Sequence, residues 1–244
     1  MRELLDSTDC VLFDFDGPVC RLFVRHRAAD VAARLRALPA LRTAAHPLTE
    51  PDDPYAVLRA GIGRTVGGDD GIGRDSAHGP EGGEVSAELT ELLDALTAEE
   101  LRAAESAWPT PYADQLLQTL HATDRRPAIV TDTSEEAVER YLVSRGLDRL
   151  FTGRVHGRGG SPRALKPDPA AVHRALASTG AAAERALLIG TCAREKETAD
   201  AAGVRFVGYA PSEEGAAALR AAGAEHVVGS LLELVDAARV PHFS

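Results

Sequence analysis

Two aspartates stand two residues apart in FDFDGPVC, Asp14 and Asp16, directly after the apolar run CVLF. A short apolar run that ends on a carboxylate reads as a buried strand delivering the acid to a loop. Paired carboxylates at such an exit suit covalent phosphoryl transfer, in which one attacks phosphorus and the other handles the leaving-group proton. Gly17 lets the chain turn sharply and Pro18 stiffens that turn. The same letters also describe an ordinary surface turn, so the pair needs support from elsewhere in the chain.

Three further features supply it. Thr131 closes the run AIVT and is followed by Asp132, Thr133 and Ser134 at the start of a helical pattern. A hydroxyl beside free N–H groups at a helix start is a ready phosphate site, although Ser134 alone reads as an N-cap. Lys166, in ALKPDP, precedes a proline that holds it on an extended segment. From there its ammonium can neutralise carboxylate and phosphate charge, or it is simply a solvated lysine. Gly190 ends another apolar run, and the helix after it carries Glu195 and Glu197 in its first turns. Acids also favour a helix N-terminus for electrostatic reasons alone. Arg158, in the Gly-rich HGRGG ahead of Lys166, is a candidate contact for a substrate phosphate or acid. His156, Trp108 and Tyr112 read as structural residues.

The elements that must position these residues alternate along the chain. Strand patterns end at Phe13, Val130 and Ile189, a fourth starts at Val204 and a short fifth lies around Val227. Between them lie helical patterns at Tyr112 to His121, Glu135 to Arg145, Pro169 to Ser178, Glu195 to Ala202 and Glu213 to Ala222. Strands alternating with helices imply parallel crossovers and a sheet covered on both faces, with ligands beyond the carboxyl ends of the strands. The segment from about Val19 to Ala107 differs. It shows helical patterns at Arg27 to Leu38, Tyr55 to Ala60, Ser86 to Leu96 and Glu99 to Ala107, and no convincing strand. Its Gly-rich residues 61–84 hold too few apolar side chains to pack and read as a flexible loop. GIGRTVG within them lacks the preceding strand that a phosphate-cradling loop needs.

A formal net charge of −10 disfavours nucleic acid and anionic membranes as partners. No apolar run approaches the roughly 18 residues needed to span a bilayer, and MRELLDSTDC has neither the basic start nor the apolar stretch of a signal peptide. Three cysteines, Cys10, Cys20 and Cys192, fit no metal or disulfide spacing and suggest free thiols in a reducing, cytoplasmic setting.

Taken in order, DFDGP, a strand ending in Thr131, the lysine of KPDP and a strand–glycine–helix turn with acids resemble the haloacid dehalogenase-like (HAD) hydrolase superfamily, in its capped phosphatase branch. The resemblance implies an α/β fold: a Rossmann-like three-layer core with a mostly parallel sheet and an inserted helical cap of the C1 type. The core would comprise residues 1–18 and 107–244, and the cap 19–106. Carried over by position, Asp14 would be the nucleophile, Asp16 the general acid and then base, and Lys166 the charge-balancing residue. Thr131, Asp132, Gly17 and Arg158 are the candidate phosphate-binding residues. Mg²⁺ would be held by Asp14, the Asp16 backbone carbonyl and an acid after the Gly190 turn. The implied activity is hydrolysis of a small phosphorylated metabolite. Asp at position 16 points to phosphoryl transfer, since the dehalogenase and phosphonatase branches carry non-acidic residues there.

One departure stands out. The fourth motif usually reads like GDSxxD, whereas here it is GTCARE, which puts Thr191 where the family's direct magnesium ligand lies and Glu195 at the second acid. A neutral hydroxyl is a weaker ligand for Mg²⁺ than a carboxylate. Two outcomes follow: a phosphatase with a weakened metal site, or a protein that has lost turnover and keeps a phosphate-binding or regulatory role.

Overall fold

A computed structural model describes residues 1–41, 50–66, 86–158 and 164–239. The strands are β1 Cys10–Phe13, β2 Cys20–Arg21, β3 Trp108–Pro109, β4 Arg126–Val130, β5 Val155–His156, β6 Ala186–Gly190, β7 Arg205–Tyr209 and β8 His226–Val228. The helices are α1 Arg2–Asp6, α2 Ala28–Arg36, α3 Pro54–Val66, α4 Ala87–Ser106, α5 Ala113–Ala122, α6 Glu135–Arg145, α7 Ala170–Thr179, α8 Ala193–Ala201, α9 Glu213–Ala221 and α10 Leu232–Ala238. These elements form two compact units, one of residues 1–25 with 100–244 and the other of residues 26–99.

The first unit is built on a six-stranded sheet in the order β5-β4-β1-β6-β7-β8, with every described pairing parallel. Successive side chains of a strand point to opposite faces, and both faces here are covered. Val11 and Phe13 of β1 join Ile129, Leu187 and Ile189 in one apolar cluster, closed by α1, α5, α6 and α10 through residues such as Leu5, Leu116, Tyr141 and Val235. Cys10 and Leu12 face the other way and join Ala128, Val130 and Leu188, closed by α7, α8 and α9 through Val172, Ala199 and Leu219. This two-sided burial is why the strands read as unbroken apolar runs. Because the strands are parallel, Asp14, Thr131 and Thr191 leave β1, β4 and β6 at the same edge of the sheet.

Several elements differ from the sequence expectation. β2 falls inside a segment read as strand-free; it is two residues long and pairs antiparallel with β3, too short to leave a pattern. β5, α1 and α10 were not anticipated, for the same reason of length. Lys166 lies not on an extended segment but in a tight turn, closed by the Asp168 N–H donating to the Leu165 carbonyl at 2.9 Å, with a cis Lys166–Pro167 peptide.

The second unit contains α2, α3 and α4 up to Glu99, with Val31, Leu35, Val57, Leu58, Leu92 and Leu96 buried. The patterns at Ser86 to Leu96 and Glu99 to Ala107 merge into the single helix α4, since no breaker separates them. Residues 61–66, expected to begin a flexible loop, complete α3 instead. Gly61 serves close packing there: a Cβ on it would come within 2.4 Å of Leu92 Cδ2. The rest of the Gly-rich expectation, residues 67–84, lies outside the described residues.

Candidate active site

The site is assembled by strand ends. The Asp14 N–H donates to the Ile189 carbonyl at 3.0 Å, which extends β1 one step beyond Phe13 and fixes where the carboxylate emerges. Lys166 donates from Nζ to Asp14 Oδ1 at 2.6 Å and to Glu195 Oε1 at 3.2 Å. All three side chains are buried. A buried ammonium between two carboxylates is a charge arrangement that burial alone would forbid, and each member is tolerable only because of the others.

Glu195 owes its position to the local sequence. It lies at the third position of α8, and its Oε2 accepts the N–H groups of Thr191 and Cys192, closing a capping box around Cys192. Gly190 makes room for it, since a Cβ there would come within 2.5 Å of Glu195 Oε2. One carboxylate oxygen thus caps the helix and the other meets Lys166.

These contacts set the electrostatics. Burial pushes the Asp14 carboxyl up to about 7, reinforced by the neighbouring Glu195 and opposed by Lys166. Burial also works against ionisation of Glu195, but Lys166 and the hydrogen bonds it accepts outweigh that and hold it below the usual range. Burial acts likewise against the Lys166 charge, yet Asp14, Glu195 and Asp132 keep the ammonium firmly protonated. Asp14 is therefore the carboxylate whose charge is least secure until a further cation or a donor approaches it.

The Asp14–Cys20 loop carries the second acid. Asp16 Oδ1 accepts the Leu22 N–H at 2.8 Å, which ties its carboxylate to the segment just past β2. Gly17 has φ +121, a conformation that L side chains rarely adopt, and a Cβ on it would lie 2.6 Å from Thr191 Cγ2. Thr191 consequently packs against the loop that holds Asp16. The buried Thr110, which no sequence motif singles out, donates its hydroxyl to the Gly17 carbonyl and its N–H to the Val19 carbonyl.

Thr131 is buried, with its N–H on the His156 carbonyl at 3.1 Å. Two of the N–H groups after it, which the sequence suggested as free, are engaged. The Thr133 N–H donates to Thr131 Oγ1 at 3.2 Å, and the Ser134 N–H donates to Glu100 Oε2 at 3.1 Å. Ser134 does cap α6, accepting from the Ala137 N–H. Asp132 Oδ1 accepts the Lys166 N–H at 3.0 Å, so this acid fixes the lysine's backbone.

Arg158 is used differently from the expectation of a ligand contact. Its guanidinium makes a two-pronged pair with Glu100, at 2.7 and 2.9 Å, and a third bond to the Asp132 carbonyl at 2.8 Å. Both side chains are buried. Together they brace the Thr131–Ser134 loop from behind. Nothing in the AEEL stretch around Glu100 marks it as the partner of a distant arginine, so this pair is invisible in the sequence. Cys20 and Cys192 are free. Burial raises both thiols, Cys192 to about 12, and keeps them protonated.

Of the residues the sequence offers for a hard cation, Asp14, the Asp16 backbone carbonyl and Glu195, Glu195 has both carboxylate oxygens engaged, Oε1 with Lys166 and Oε2 with the Thr191 and Cys192 N–H groups, and the Thr191 hydroxyl stands at the position of the family's usual acid. Among the described residues, no three or more His, Cys, Asp and Glu side chains come together as a metal-holding group. Nor is any described helix long and apolar enough to cross a membrane.

Residues 79–209, more than half of the chain, match the family model described as haloacid dehalogenase-like hydrolase. No curated protein matches the sequence. Solved structures do. A putative haloacid dehalogenase-like hydrolase from Bacteroides fragilis is 19% identical with a TM-score of 0.66, over 93% of this chain and 99% of that one. CbbY from Rhodobacter sphaeroides, in complex with phosphate, is 20% identical with a TM-score of 0.63, over 93% of this chain and 96% of that one. A putative phosphoglycolate phosphatase from Lactobacillus plantarum is 18% identical with a TM-score of 0.62, over 94% and 99%.

Proposed function

The chain belongs to the haloacid dehalogenase-like hydrolase family, and we propose that it hydrolyses a small phosphomonoester through a covalent phosphoaspartate on Asp14. The observation that carries this reading is the buried Lys166 ammonium, 2.6 Å from Asp14 and 3.2 Å from Glu195, at the carboxyl edge of the sheet. It leaves a carboxylate poised at a strand end where substrates of such sheets bind. The phosphate held by CbbY and the name of the L. plantarum structure support the choice of substrate class.

In this reading an Asp14 carboxylate oxygen attacks phosphorus and the bond from phosphorus to the ester oxygen breaks. Asp16, in its acid form, gives its proton to the departing alkoxide. Its carboxylate then takes a proton from water as that water attacks the phosphoaspartate, which releases inorganic phosphate and frees Asp14. The Leu22 N–H bond keeps the Asp16 carboxyl aimed during both steps. Lys166 offsets charge on Asp14 and the phosphoryl oxygens, and the Thr131 hydroxyl donates to one of those oxygens. Gly17 keeps the loop close to Thr191.

Magnesium belongs to this proposal. The donor set suits a hard cation held by one carboxylate and one carbonyl, Asp14 and Asp16, with Thr191 offering a neutral hydroxyl and water filling the remainder. When bound, the ion would supply positive charge against the phosphoryl oxygens. The absence of a carboxylate at position 191 makes that binding weak. This also favours a second reading: a phosphate-ligand binding or regulatory protein without turnover.

Release of inorganic phosphate from phenyl phosphate, with Mg²⁺ present, tests the first reading. Wild type should turn over and Asp14→Asn should not. Equal residual rates in the two would remove Asp14 as nucleophile. Absence of turnover across a phosphoester panel, with phosphate-dependent thermal stabilisation, would establish the second.

A further inference from the structure

The chain carries more acid than base, 37 against 27 residues, yet among the described residues two arginines beside the Asp14–Cys20 loop have no acidic partner. Arg21 and Arg25 both lie over the ring of Trp108, at 5.1 and 5.2 Å from its centroid. Neither guanidinium forms an ion pair or a side-chain hydrogen bond among the described residues, whereas Arg34, Arg125, Arg140, Arg145, Arg158 and Arg185 each meet a carboxylate. Trp108 itself is 42% exposed. Stacking holds a guanidinium in place while its in-plane N–H groups remain available, which is the geometry suited to a carboxylate or a phosphate.

The location is fixed by backbone contacts. Arg21 and Trp108 are paired across β2 and β3. The next residue, Leu22, donates its N–H to the Asp16 carboxylate at 2.8 Å. Thr110, two residues past Trp108, bonds Gly17 and Val19. The ribbon is therefore tied on both strands to the loop of the general acid. Arg21 is also close enough to Tyr209, the last residue of β7, for its charge to act on that hydroxyl, which puts it at the carboxyl edge of the sheet.

We propose that Arg21 and Arg25, held on Trp108, form the subsite for a second anionic group, carboxylate or phosphate, on the leaving-group side of the phosphomonoester. The inference rests on the phosphatase reading above, because Asp16 marks the leaving-group side only if Asp14 attacks phosphorus. Two uncompensated guanidiniums would be discharged together by one such group, and a neutral leaving group would leave them as they are. The preferred substrates are thus small phosphomonoesters bearing a further acid.

Trp108 is the only tryptophan in the chain, so intrinsic tryptophan fluorescence reports on this subsite alone. Binding is measured in Asp14→Asn protein, which separates it from turnover, with phosphoglycolate and propane-1,3-bisphosphate as doubly anionic probes and ethyl phosphate as the neutral-tailed one. The doubly anionic probes should change the Trp108 emission and bind at least tenfold more tightly than ethyl phosphate. Arg21→Gln and Arg25→Gln should each remove most of that preference, and Arg21→Lys should restore part of it. Equal affinities for the three probes, or a preference that survives both glutamine variants, would overturn the proposal. A preference for one doubly anionic probe alone assigns the subsite to a carboxylate or to a phosphate. Turnover of phenyl phosphate without any preference would refute the subsite and leave the phosphatase reading standing. Preference without turnover would refute the phosphatase reading, and with it the leaving-group assignment, and leave Arg21 and Arg25 as an anion-binding pair alone.

Discussion

Lys166 Nζ stands 2.6 Å from Asp14 Oδ1, and this contact couples the chemistry of the site to the stability of the core. Removing the lysine would leave Asp14 and Glu195 buried as like charges, and an uncompensated buried charge costs about 3–5 kcal/mol. Lys166→Met should therefore lose at least a hundredfold in turnover and a large part of its stability at neutral pH. The sign of the pH effect follows. Without the ammonium, each carboxylate raises the other's folded pKa above its unfolded value, so the variant is most stable below the unfolded pKa and loses stability as pH rises. Urea denaturation at pH 5 and pH 8 should show a smaller penalty at pH 5. An equal penalty at both would mean that the ion pair contributes no electrostatic coupling.

Thr191 meets the Asp16–Gly17 loop so closely that a Cβ on Gly17 would lie 2.6 Å from its Cγ2. A carboxylate substituted at this position would point at the same loop and complete a second acidic ligand for a hard cation. Thr191→Asp should lower the Mg²⁺ concentration for half-maximal turnover by at least tenfold. It should also make melting more sensitive to Mg²⁺ than in wild type, because the ion then relieves repulsion among buried acids. Wild-type Mg²⁺ dependence in the variant, by both readouts, would show that Thr191 is no impairment.

How much of this was legible depends on distance along the chain. The strands leading to Asp14, Thr131 and Gly190 were readable because burial on both faces leaves unbroken apolar runs. Ser134 and Gly146 marked the ends of α6 by local chemistry, an N-cap and a glycine with φ +66. β2 and β5, two residues each, leave no period to detect. Gly61 misled because composition suggested a loop, whereas its lack of a Cβ serves contact with Leu92. The capping box of α8 was hidden because cysteine is an unusual N-cap, so Glu195 read as a metal ligand before it read as a cap. Glu100 and Arg158 are brought together by the fold from distant positions, and no local signal announces such a pair.

That pair makes its own prediction. Arg158 and Glu100 are joined by two hydrogen bonds, and they also hold the Asp132 carbonyl and the Ser134 N–H. Truncating either partner strands the other's charge in the interior, at a cost of about 3–5 kcal/mol. Glu100→Ala and Arg158→Ala should each destabilise by that order, and the double variant by much less than the sum, a coupling that a double-mutant cycle reads directly. Arg158→Lys should recover little, because a single ammonium cannot reproduce the fork. Since the pair braces the Thr131 loop, surviving variants should show a raised KM for phenyl phosphate with a smaller change in kcat. Additive losses would show that the two residues act independently.

His156 offers a pH-dependent test away from the acids. Its Nε2 lies 2.7 Å from Ser178 Oγ, and its carbonyl receives the Thr131 N–H at 3.1 Å. Burial, helped by the Arg174 charge and opposed by Glu135, holds the imidazole pKa below its ordinary value. The unfolded chain therefore binds a proton at this residue more readily than the folded one. Stability is fully present above the unfolded histidine pKa and declines as pH falls through the lowered folded pKa. His156→Gln keeps a polar partner for Ser178 but cannot titrate. At pH 8 it should cost about 1 kcal/mol, the order of one imperfectly replaced hydrogen bond. At pH 5 the gap to wild type should narrow or reverse, since only wild type suffers the protonation penalty. Urea midpoints of the two proteins that run parallel from pH 8 to pH 5 would show that His156 does not carry this dependence.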